Sequence, residues 1–154
     1  MPNITPFLWF DGQAEAAAKF YTSIFENSRI ESISPMSATF VLAGQKFMAL
    51  NGGPQFKFTE AISFFVSCET QKEIDYFWEE LSAGGEKSRC GWLKDKFGVS
   101  WQVVPPILGD MLSDEDAGKS QRVMQAMLEM DKLDIKRLKQ AYEQPYTERN
   151  SRKK

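Results

Sequence analysis

Residues 4–25 read ITPFLWFDGQAEAAAKFYTSIF, an apolar run followed by an alanine-rich amphipathic segment. The run ITPFLWF is too short for a globular helix and reads as a buried strand. Beyond it, Ala16, Ala17, Phe20 and Ile24 fall on one stripe at helical spacing, with Asp11 as the candidate N-cap. Two strands are expected next, over about 29–36 and 38–43, and the turn AGQK leads into a third over 47–50, an antiparallel meander. The order then begins again. ISFFVSC (62–68) reads as a strand, and TQKEIDYFWEEL (70–81) as a helix with Thr70 and Glu73 at capping-box spacing. SAGGEKSRC, GWLKDKFG and VSWQVVP supply two or three further strands.

The two stretches align without gaps at first. Ile4, Leu8, Phe10, Gly12-Gln13 and Glu15 match Ile62, Val66, Cys68, Thr70-Gln71 and Glu73, and Phe20 matches Trp78. Farther on, GQKFMAL (44–50) matches GVSWQVV (98–104). This is an internal repeat carried by the order of elements; two unrelated strand–helix units of similar composition are the alternative. From residue 107 the chain is helical, and Val123, Met124, Met127, Leu128 and Met130 give it a broad apolar face, either core or a surface for a partner. The expected class is α+β: one domain over 1–144, with modules at about 4–53 and 61–105, C-terminal helices at about 107–144, and a flexible charged tail over 145–154.

Composition narrows the function. The 154 residues are 42% hydrophobic, 13% aromatic and 26% charged, an ordinary globular balance. A formal charge of −2 provides no basic field for nucleic acid. No apolar run approaches the roughly 20 residues that span a bilayer, and no signal-peptide pattern opens the chain, so no membrane partner and a cytoplasmic location are expected. The chain contains no histidine, which removes His-based triads, imidazole general bases and imidazole metal ligands. Cys68 and Cys90 alone make neither a disulfide framework nor a closed zinc site.

The wording of ITPFLWFDGQAEAAAKFY, GQKFMALNGGPQFKF, AISFFVSCET and CGWLKDKFGVSWQVVP closely resembles the PhnB-like branch of the vicinal oxygen chelate superfamily, the group of glyoxalases and bleomycin-resistance proteins. That branch carries the label 3-demethylubiquinone-9 3-methyltransferase domain. The resemblance extends over about residues 4–142. It implies paired β-α-β-β-β modules forming a cupped mixed sheet with helices outside, and a homodimer. Metal-dependent members place His, Gln or Glu on inward strand positions. The resemblance puts Gln102 at one such position and Met48 at its mate, with Thr5 or Pro6 and Ala61 or Ser63 near the others. These donors do not make a divalent-cation site, so neither a metal nor another cofactor is expected. Methyl transfer would need a nucleoside cofactor, and no Gly-rich strand–turn–helix segment is visible to hold one.

Alternation within strands then divides each strand into two faces. Leu8, Phe10, Ile62, Phe64, Val66, Cys68, Trp101 and Val103 are expected on the helix side. Thr5, Phe7, Trp9, Ser63, Phe65, Ser67, Ser100, Gln102 and Val104 are expected on the cup side. The corner NGGPQFKF (51–58) is either a plain connection between modules or a ligand lip. A histidine is common in the family where Gln55 stands; an amide can orient a polar group but cannot transfer a proton. The candidate ligand-binding residues are Phe7, Trp9, Asn51, Gln55, Phe56, Phe58, Phe65, Trp92 and Gln102, holding a flat or aromatic small molecule. An alternative is a lyase- or isomerase-type enzyme using a carboxylate (Glu60, Glu69 or Asp95) or Cys90 as nucleophile beside Arg89 or Lys94. Lys94 and Asp95 are expected to form an exposed ion pair at a turn.

Overall fold

The computed structural model describes residues 1–144, so the charged tail expected over 145–154 lies outside the described residues. The chain divides into two compact units, residues 1–59 and residue 60 onward. The division falls inside the connection expected between residues 53 and 61.

The first unit runs β1 (Phe7–Phe10), α1 (Ala14–Ile24), β2 (Arg29–Ile33), β3 (Ser37–Leu42) and β4 (Gln45–Asn51). Its sheet has the order β1-β4-β3-β2, with β1 parallel to β4 and the remaining pairs antiparallel. Leu8 and Phe10 are buried while Phe7 is exposed, as alternation requires. The buried stripe of α1 is Ala14, Ala17, Ala18, Tyr21 and Ile24. It lies slightly around the helix from the expected one, leaving Ala16 exposed and Phe20 half-buried. Tyr21 packs on Phe40, and Phe40 stacks on Phe47 with centroids 5.5 Å apart. Asp11 does not cap α1. The N-cap is Gln13, whose side chain makes no capping bond, and the Asn51 side chain instead accepts from Ala14 N at 2.9 Å. A residue 37 positions away thus satisfies a donor that the helix start leaves open.

The second unit repeats the order: β5 (Phe64–Ser67), α2 (Gln71–Ser82), β6 (Glu86–Lys87), β7 (Trp92–Lys94) and β8 (Ser100–Val104). The sheet is β5-β8-β7-β6, with β5 parallel to β8. Thr70 caps α2 as expected, its hydroxyl oxygen accepting from Glu73 N at 3.2 Å. Strand β5 begins later than expected, and Ile62 is exposed instead of packed on the helix side.

Three further helices, α3 (Pro106–Leu112), α4 (Ala117–Leu128) and α5 (Ile135–Glu143), belong to this unit. They gather Leu108, Met111, Val123, Ala126, Met130, Leu133 and Leu138 into a core that also takes in Val104. Val104 is therefore covered by the helices and does not face an open sheet surface. The apolar face of α4 is divided: Val123 is buried, whereas Met124 and Leu128 are exposed. The helices are pinned by backbone bonds from Cys90 N to Met130 O and from Gly91 N to Asp131 O, both 2.8 Å, and by the Gln71 amide between Leu133 O and Ile135 N. A side chain at Gly91 (φ +84°) would come within 2.8 Å of Val103 O, so this docking point requires glycine.

Candidate functional site

In the first unit the corner at 51–58 is built around Trp9. Its indole Nε1 donates to Gly53 O at 2.9 Å, and Gly52 lies so flat against the ring that a Cβ there would sit 2.3 Å from it. Phe56 covers the ring edge-on, with centroids 5.0 Å apart. Phe58 turns the other way and packs on the buried Phe10. The Asn51 amide is occupied, accepting from Ala14 N and donating to Pro35 O at 3.0 Å. Gln55 is exposed and folds toward Gly53. Phe7 stands on the open face next to its register partner Met48, both solvent-exposed.

The second unit presents a different surface. The register of β7, β8 and β5 sets Trp92 opposite Gln102 and Gln102 opposite Phe65, a row across three strands on the face away from α2. Two residues along lies a polar row, Glu86 opposite Lys94 and Lys94 opposite Ser100. A cavity of about 400 Å³ opens here, lined by Glu60, Glu86, Arg89, Trp92, Lys94 and Ser100 among others. The Gln102 amide donates to Ser63 Oγ at 3.0 Å, which fixes its orientation.

The charges are arranged differently from the expected Lys94–Asp95 pair. Asp95 is buried, and its carboxylate accepts from Phe97 N, Val99 N and the Trp101 indole at 2.8–3.0 Å. It is the anchor of the β7–β8 turn. Lys94 pairs instead with Glu60. That hydrogen bond and the ammonium charge hold the Glu60 carboxyl below its ordinary range, and the same bond raises Lys94. Ser100 is almost fully buried, yet its hydroxyl has no hydrogen-bond partner among the described residues.

Neither cysteine belongs to the cavity lining. Cys68 is wholly buried, and desolvation, aided by the negative Glu73, pushes its thiol up to about 12. Cys90 is half-buried with φ +59°, its thiol directed at Met127 O at 3.5 Å. Among the described residues no three His, Cys, Asp or Glu side chains gather as a metal set. At the positions where the resemblance implies cation ligands, Met48 offers a thioether and Gln102 an amide already bound to Ser63, so these residues do not fit a divalent ion.

Of the residues singled out from sequence, the second unit joins Phe65, Trp92 and Gln102 in one row. The first joins Trp9, Gln55 and Phe56 at one corner. Glu60, Glu86, Lys94 and Ser100 were not among the ligand candidates. The signal for Lys94 and Ser100 was present, since each lies two residues from a named residue on the same strand face, Lys94 from Trp92 and Ser100 from Gln102. Among the described residues no helix is long and apolar enough to cross a membrane.

Two β-α-β-β-β modules, each with a parallel first–fourth strand pair, define the vicinal oxygen chelate class, the fold of glyoxalases and bleomycin-resistance proteins. Within it the chain belongs to the family described as 3-demethylubiquinone-9 3-methyltransferase, whose model matches residues 2–104. The match ends at Val104, so the C-terminal helices, to which the resemblance in wording also extends, lie beyond it. A PhnB protein from Bacillus cereus is 40% identical, covering 68% of this chain and 99% of its own, with a TM-score of 0.63. More distant in sequence are two proteins that share the fold. The fosfomycin resistance protein FosX from Listeria monocytogenes, solved with Mn(II) and sulfate, is 16% identical (68% of this chain, 90% of its own; TM-score 0.51). A glyoxalase-related enzyme from Fulvimarina pelagi is 14% identical (70% and 91%; TM-score 0.52). No protein of curated function matches.

Proposed function

We propose that the protein is a metal-independent, cytoplasmic small-molecule binder that holds a flat or aromatic ligand on the open sheet face of its second unit. The observation that carries this reading is the 400 Å³ cavity bordered by the Trp92 ring, a volume and a wall suited to a compact planar molecule. Gln102, oriented by Ser63, supplies a fixed polar group beside it.

Binding is favoured over catalysis by the state of the candidate catalytic groups. The cavity carboxylate Glu60 is tied to an ammonium, Asp95 is consumed by three donors, and Cys90 faces a backbone carbonyl outside the lining. None is poised as a base or nucleophile. Methyl transfer, which the family description names, needs a site for a nucleoside cofactor; the first turns of α1 and α2 are already served by Asn51 and Thr70.

The working form we propose is a homodimer. The first unit exposes Phe7, Met36 and Met48, the second Phe65, Met124 and Leu128, and a second copy is a partner that can cover such apolar surface. Light scattering should give a mass near twice the 17.6 kDa of one chain.

The binding reading is tested by a thermal-shift screen of planar aromatic compounds. A ligand at 100 times its dissociation constant adds about 2.7 kcal/mol, a shift that is easily measured. Hits should stabilise the wild type and lose most of their effect in Trp92→Ala. A screen without hits, or hits indifferent to Trp92, would remove the proposal.

A further inference from the structure

We infer that the ligand of the second unit carries a carboxylate-like anionic group, and that Glu60 holds that group's place on Lys94 until it is displaced. The inference rests on the cavity reading above and adds the ligand's charge to it.

Three observations converge. First, Lys94 and Ser100 are register partners on adjacent strands, so the ammonium and the hydroxyl are neighbours on the cavity face. Second, the Ser100 hydroxyl is buried, lines the cavity and has no partner within the described residues. Buried hydroxyls are nearly always satisfied, and an orphan on a residue that borders a cavity marks a missing acceptor or donor. Third, Lys94 already holds a carboxylate, but that carboxylate comes from the connection before β5, and its side chain is 59% exposed.

Relative magnitudes decide which anion wins. An exposed ion pair such as Glu60–Lys94 shifts an equilibrium by at most about fivefold. Leaving a buried hydroxyl without a partner costs about fivefold or more. A ligand anion that pairs Lys94 and also accepts from Ser100 recovers both contributions, whereas Glu60 leaves the hydroxyl unsatisfied. The displaced Glu60 carboxylate, already more than half exposed, passes to solvent, while Glu86 stays opposite Lys94 on the outer strand.

The two rows of the face then divide the ligand. Its flat body lies against Trp92, whose row continues through Gln102 and Phe65 beyond the cavity lining, and its anionic end reaches Lys94 and Ser100, two residues along the strands. Arg89 and Lys87 add positive charge at the rim, although Lys87 is engaged by Glu79.

The test compares 2-naphthoate with its neutral counterpart 2-naphthamide on the full chain, by NMR titration of the tryptophan indole signals. The wild type should bind naphthoate about tenfold more tightly than naphthamide. Glu60→Gln removes the competing charge from an exposed position and should tighten naphthoate about threefold or more, leaving naphthamide unchanged. Lys94→Gln should abolish the difference between the two probes, and Ser100→Ala should weaken naphthoate alone. If naphthamide binds as well as naphthoate, or Glu60→Gln weakens naphthoate, the inference is overturned while the cavity reading stands. If neither probe perturbs the Trp92 signal at millimolar concentration, the cavity reading falls, and the inference with it.

Discussion

The two units share one order of elements and treat the open face of the sheet in opposite ways. In the first, Trp9 is closed in by its own corner: Gly52 lies flat on the ring, Gly53 accepts its N–H and Phe56 covers its edge. In the second, Trp92 borders a cavity lined also by the Glu60–Lys94 ion pair and by Ser100, whose buried hydroxyl has no partner among the described residues. The duplicated scaffold fixes strands and helices, whereas the segments after β4 and before β7 decide whether an aromatic becomes part of the structure or a wall for something else. Each unit also uses glycine for close approach, but against different neighbours. Gly52 meets a side chain, whereas a Cβ at Gly85 would lie 2.2 Å from the backbone oxygen of Lys94.

That contrast can be broken by mutation. Gly85→Ala should have the largest effect, because a backbone carbonyl in a strand cannot retreat: about 3 kcal/mol or more, with loss of the β6–β7 pairing in hydrogen exchange. Gly52→Ala should cost less, about 1–3 kcal/mol, because the Trp9 ring can tilt at the expense of its bond to Gly53. Gly109→Ala in α3, where a Cβ meets nothing, serves as the control and should be neutral or mildly stabilising. Urea unfolding orders the three variants; equal losses at Gly85 and Gly52 would erase the distinction.

Asp95→Ala should come next. It leaves the Trp101 indole and the amides of Phe97 and Val99 without this acceptor in a buried turn, at about 2–3 kcal/mol. Trp9, by contrast, is held by a backbone carbonyl that no side-chain substitution removes.

A smaller, pH-dependent difference separates Cys68 from Phe10, its counterpart in the repeat. Because the folded thiol titrates near 12, above its ordinary value near 9, the folded state retains a proton that the unfolded chain releases. Stability from this source is complete below about pH 9 and is lost as the pH rises toward 12. The stability advantage of wild type over Cys68→Val, measured by urea unfolding, should therefore shrink between pH 8 and pH 10.5; an unchanged gap would contradict the assignment.

The smallest effect is expected at the corner. Phe56→Ala should cost about 0.5–1.5 kcal/mol through the lost edge-on contact and should red-shift tryptophan emission as Trp9 is exposed. If it instead weakens ligand binding without affecting stability, the corner is a lip after all, and the two units are more alike than their contacts indicate.

Local periodicity carried most of the fold. The alternation of Leu8 and Phe10 against Phe7, the capping pair Thr70 and Glu73, and the repeated strand–helix–strands order can all be read along the chain, because each depends on residues a few positions apart. Trp92 and Gln102 were each legible as ligand candidates, but their pairing comes from strand register and is seen only in the folded sheet. Contacts between residues distant in sequence were set by tertiary structure alone. Asn51 caps α1 in place of Asp11, Val104 is covered by α3–α5, Asp95 turns inward to Trp101, and Lys94 consequently takes Glu60. An alternating pattern specifies the face on which a side chain lies, but not which distant group arrives to meet it. The orphan at Ser100 exists only once burial has removed water and no such group has arrived from among the described residues.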